Sequence, residues 1–83
     1  MSPEKLVYMA NQIATFFKSQ SGGQAAAQAT LTHIEKYWEP RMRRALVAHM
    51  EGGGEGLSPI AREAAEQLVA KSAGFNQMTA GGA

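Results

Sequence analysis

Apolar residues recur at three- and four-residue intervals through four stretches of this chain, and each stretch is bounded by residues that start or stop a helix. In the first, Leu6, Met9, Ala10, Ile13, Phe16 and Phe17 form one broad stripe, with Tyr8, Asn11, Thr15 and Lys18 on the opposite side. Ser2, Pro3 and Glu4 supply its start: a hydroxyl to accept from a free amide, a proline suited to the first turn, and a carboxylate that favours the positive end of the dipole. The spacing predicts a helix to about Ser19, broken by Ser21, Gly22 and Gly23. A second helix is expected from Gln24 to Trp38 on the narrower stripe Ala27, Leu31, Ile34 and Trp38, with Thr32, His33 and Lys36 facing away.

Pro40 ends the second helix, because proline disfavours helical geometry at the preceding Glu39, and it fits the first position of a third helix to about Met50. A sharp corner between the two follows. Met42, Ala45, Leu46 and His49 give the third helix its inner side, and Arg41, Arg43 and Arg44 fan around the rest. Gly52, Gly53, Gly54 and Gly56 read as a flexible connection. Ser58 and Pro59 then open a fourth helix, with Ile60, Ala61, Ala64, Ala65 and Leu68 inside and an Arg62–Glu66 pair outside, fading by Lys71. Residues from Ser72 to Ala83 are small, polar and glycine-rich, which predicts a flexible tail. No useful period-two alternation occurs, so the expected fold is all-α: a small antiparallel bundle of four short helices over residues 1–71, followed by the tail over 72–83.

Size changes this picture by making a partner desirable. A domain of 83 residues hides only about 60–65% of the surface its unfolded chain exposes. With no cysteine and two histidines, neither a disulfide nor a thiolate zinc site is available to brace it. Eight Lys or Arg against seven Glu, with no Asp, leave a formal charge of +1, so any electrostatic signal is local. The longest apolar run, Ala45–Ala48, is far short of the ~20 residues that span a bilayer, and a cytoplasmic protein is expected.

Candidate chemistry is sparse. No dinucleotide or phosphate-loop pattern occurs, and the glycines near Gly52 follow no strand and precede no lysine. His33 and His49 lie at unrelated helical phases without cysteine or aspartate beside them; His49 reads as a packed or interface residue and His33 as a solvated one. Glu35 and Glu39, one turn apart, stand among Lys36 and the arginines and read as surface ion-pair partners. The concentrated feature is the corner Tyr37, Trp38, Pro40, Arg41, Met42, Arg43 and Arg44. Tryptophan, tyrosine and arginine dominate binding hot spots, which makes this corner a candidate docking surface, with Tyr8, Asn11 and Thr15 as a secondary one. A core tryptophan flanked by solvated arginines is the plainer alternative. A free-standing nucleic-acid-binding regulator using Arg41, Arg43 and Arg44 is a further one, although the patch is a single turn followed by Glu51 and Glu55.

Three blocks in order, Lys5-Leu-Val-Tyr-Met-Ala-Asn-Gln-Ile-Ala-Thr-Phe-Phe17, Tyr37-Trp-Glu-Pro-Arg-Met-Arg43 and Gly53-Gly-Glu-Gly-Leu-Ser-Pro59, resemble the delta subunit of bacterial NAD-dependent, molybdenum-containing formate dehydrogenases. The resemblance covers about Lys5 to Leu68. It implies a non-catalytic accessory subunit, without cofactors of its own, that binds the cofactor-bearing alpha subunit and helps stabilise or assemble a complex also containing beta and gamma subunits. In that complex formate is oxidised at a molybdenum centre and electrons pass through iron–sulfur clusters and flavin to NAD. Iron–sulfur ligation by thiolates is impossible for a chain without cysteine, in keeping with such a role.

Overall fold

A computed structural model describes residues 2–82, with side chains described for residues 2–72 except residue 24. It consists of four helices, α1 (Pro3–Ser21), α2 (Gly23–Tyr37), α3 (Pro40–Glu51) and α4 (Pro59–Gly82), and among the described residues there is no strand. The helix starts follow their local chemistry. Ser2 caps α1, its Oγ accepting from the Lys5 amide at 3.2 Å. Ser58 does the same for α4, accepting from Ala61 N at 3.4 Å. Gly22, at φ +80°, is the single residue between α1 and α2, in a left-handed conformation open to glycine. The helix α4 continues past Lys71, where the pattern expected it to fade, and the expected tail over 72–83 lies almost wholly outside the residues whose side chains are described.

All four helices contribute to one core. On α1 the buried row is Leu6, Ala10 and Ala14, which packs most extensively against α2; α2 in turn leans on α4. Leu31, Ile34 and Leu46 are the largest apolar side chains with essentially no exposure, and Trp38 and Leu68 close the ends. Among the described residues, half of the buried apolar ones are alanines: Ala10, Ala14, Ala26, Ala27, Ala61, Ala64 and Ala65. Small residues in the contact rows let helix backbones approach closely, and this explains one departure from the expected stripe. Ala14 is buried, while Phe16, expected inside, is 58% exposed. Thr30 is the one buried polar residue among the described residues, its hydroxyl donating to the Ala26 carbonyl at 2.7 Å and so finding a partner.

The glycine segment between α3 and α4 is an ordered turn rather than the loose connection its composition suggested. Gly54 N–H bonds His49 O at 2.9 Å, and Leu57 enters the core. Three helices hold the turn by side chains. From α4, Arg62 Nη2 donates to the carbonyls of Gly53 (3.0 Å) and Gly54 (2.9 Å), instead of pairing with Glu66 as expected. From α3, His49 Nε2 meets the Glu55 carbonyl at 2.8 Å, which requires the ring proton on that nitrogen. From α1, Asn11 uses both ends of its amide: Nδ2 donates to Gly56 O at 3.0 Å and Oδ1 accepts from Ser58 N at 2.9 Å. Gly54 is buried at φ +65°, and a Cβ there would lie 2.6 Å from Met50 Sδ.

Candidate functional site

The corner between α2 and α3 is built by two extended residues. Trp38 (φ −82°, ψ 139°) caps α2 through its amide to Ile34 O at 3.0 Å, and Glu39 (φ −66°, ψ 153°) takes the extended form imposed by the following Pro40. This backbone turn sends the Trp38 ring inward, where only 5% of the residue remains exposed. The corner is then tied from α3. Arg43 Nη1 donates to Trp38 O at 2.7 Å and Glu35 O at 3.1 Å, carbonyls that the end of α2 leaves without intrahelical partners. A guanidinium is the right group there, since it both bonds the free carbonyls and opposes the negative end of the helix dipole.

Four residues expected to meet a partner therefore have internal roles. Trp38 belongs to the core, Met42 packs half-buried against it, Arg43 holds the corner, and Asn11 holds the glycine turn. The remainder of the expected set does face outward. Tyr37 is 65% exposed, and Pro40, Arg41 and Arg44 are exposed beside it. Tyr8, at 64%, and Thr15 are exposed on α1, the Tyr8 hydroxyl accepting from Gln12 Nε2 at 2.6 Å.

An aromatic row crossing α1 and α2 was not anticipated. Phe16 and Phe17 meet edge to face at 5.1 Å between centroids, Phe17 approaches His33 at 6.1 Å, and His33 lies 4.7 Å from Tyr37. Lys36 Nζ stands 5.6 Å from the Tyr37 ring centroid. His33, expected to be solvated, is thus half-buried between aromatic rings. The four-residue spacing of His33 and Tyr37 on one helix was the available signal. Glu35 forms the one ion pair found among the described residues, with Lys71 Nζ at 3.0 Å across from α4. No group of three or more His, Cys, Asp or Glu side chains among the described residues could hold a metal ion.

This is a small helical module with a hydrogen-bonded corner and exposed aromatic and cationic side chains beside it. The model of the family described as "NADH-dependant formate dehydrogenase delta subunit FdsD" matches residues 5–65, and the chain belongs to that family. The matched span contains all three sequence blocks, the α2–α3 corner and the glycine turn. Neither a curated protein nor a solved structure matches the chain. Among the described residues no helix is long and apolar enough to cross a membrane.

Proposed function

We propose that the chain is a non-catalytic subunit of a formate dehydrogenase complex, and that it stabilises the cofactor-bearing alpha subunit, or helps assemble it, by docking through the outer side of the α2–α3 corner. The observation that carries this reading is a division of labour. Trp38 and Arg43 fix the corner from inside, and Tyr37, Arg41 and Arg44 stand outside it without hydrogen-bond or ion-pair partners among the described residues. A backbone already tied in place loses less freedom on association, and exposed Tyr and Arg are among the side chains that most often dominate binding once covered. Binding of the native alpha subunit in this way raises its stability by mass action.

The test is affinity purification of the complex through a tagged copy of this chain, with the wild type compared with Tyr37→Ala plus Arg41→Glu. Loss of the alpha subunit from the purified material, with the helical circular dichroism of the variant unchanged, is expected. Undiminished recovery would reject the corner as the docking surface.

A further inference from the structure

An open groove of about 760 Å³ adjoins the corner, walled by α3 on one side and by the Leu68–Ser72 part of α4 on the other. Its α3 wall reads Pro40, Arg44, Val47, Ala48 and Glu51, positions three and four apart that share one helix face. The floor is apolar at Val47, Ala48 and Leu68. The cations within the groove are not equivalent. Arg43 is engaged by backbone carbonyls and Lys71 by Glu35, whereas Arg44 and Glu51 have no hydrogen-bond or ion-pair partner among the described residues. Two helical turns, about 10 Å, separate these two along the wall.

Their placement is unfavourable to α3 itself. Arg44, with Arg41, lies toward the positive end of the helix dipole and Glu51 is the final residue at the negative end, the reverse of what an isolated helix prefers. A second helix running antiparallel to α3 changes the sign at both ends, because its C-terminal carbonyls approach Arg44 and its N-terminal amides approach Glu51. From this charge order, and resting on the docking reading above, we infer that the groove receives one helix of the partner subunit, antiparallel to α3. Its apolar side lies on Val47, Ala48 and Leu68, with its C-terminal carbonyls toward Arg44 and its N-terminal amides toward Glu51. Residues 72–83 bring no charged side chain to meet Arg44 and Glu51. A second copy fits less well, because a concave surface set against another concave surface leaves a void.

Two variants isolate the groove from the corner. Arg44→Glu combined with Glu51→Lys inverts the charge order at constant net charge, and Ala48→Trp fills the floor. In affinity purification of the complex, each is expected to lower recovery of the partner subunit about tenfold or more, since like charges brought together at an interface oppose binding strongly. The helical circular dichroism should be unchanged. Normal recovery with both groove variants, alongside loss with Tyr37→Ala plus Arg41→Glu, overturns the groove inference and leaves the docking reading standing; normal recovery with all of them overturns both. Loss with the groove variants alone upholds the groove and moves the docking surface away from Tyr37 and Arg41. Sedimentation of the isolated chain is expected to give a monomer, and a dimer dissociated by Ala48→Trp would assign the groove to a second copy instead.

Discussion

Removing the Asn11 amide tests whether the glycine turn is held in place by α1. In Asn11→Ala the Gly56 carbonyl loses its donor at 3.0 Å and the Ser58 amide, half-buried at the start of α4, loses its acceptor at 2.9 Å. Each bond is worth about 0.5–1.5 kcal/mol net, so the pair contributes about 1–3 kcal/mol. A domain of this size loses roughly 4–8 °C of Tm per kcal/mol, which puts the expected fall at about 5–20 °C in thermal denaturation followed by circular dichroism. Asn11→Asp sharpens the test. It keeps the acceptor for Ser58 N but turns an oxygen toward the Gly56 carbonyl, so it should recover little of the lost stability, although it is the closer isostere. Thr15→Ala, one turn further along α1 and exposed, is the control, with an expected change within about 0.5 kcal/mol. An Asn11→Ala protein melting within about 2 °C of the wild type, or an Asp variant as stable as the parent, would refute the assignment of both amide ends.

Other perturbations separate internal from external roles. Gly54→Ala places a Cβ in the left-handed region and 2.6 Å from Met50 Sδ, and should cost at least about 1–2 kcal/mol in urea denaturation, whereas Gly52→Ala, at φ −88°, should cost far less. Arg43→Ala leaves the end of α2 uncapped and is expected to destabilise by about 1.5–3 kcal/mol, while Arg44→Ala should change stability by less than about 0.5 kcal/mol. Lys71→Ala removes an ion pair whose side chains are 58% and 36% exposed, and a loss of no more than about 1 kcal/mol is expected at low salt, shrinking as salt is added.

What could be read in the sequence was whatever depends on near neighbours. Ser2-Pro3 and Ser58-Pro59 mark helix starts because capping is decided within one turn, and Pro40 marks the corner because its ring constrains the residue just before it. The family resemblance rested on the same local strings and agrees with the family match over residues 5–65. The site was legible only in outline. Tyr37, Arg41 and Arg44 stand exposed as expected, whereas Trp38 is buried and the half-buried Arg43 and Asn11 bond to backbone groups of the chain, and composition could not have told these groups apart. Asn11 finds its partners 45 and 47 residues away, a pairing fixed by how α1 lies against the glycine turn. The aromatic row was missed for a similar reason, since Phe17 and His33 meet across two helices. The turn itself looked loose because glycine composition reports conformational freedom and says nothing of the three side chains that remove it.

The alanines that make up half of the buried apolar residues described also govern how this molecule responds to heat and denaturant. A methyl group exposes little new apolar surface when the chain opens, and both the heat-capacity increment and the denaturant sensitivity scale with that surface. Calorimetry on the isolated chain should therefore give a broad, shallow transition, with a stability curve flatter across temperature than that of a leucine-rich bundle of equal length.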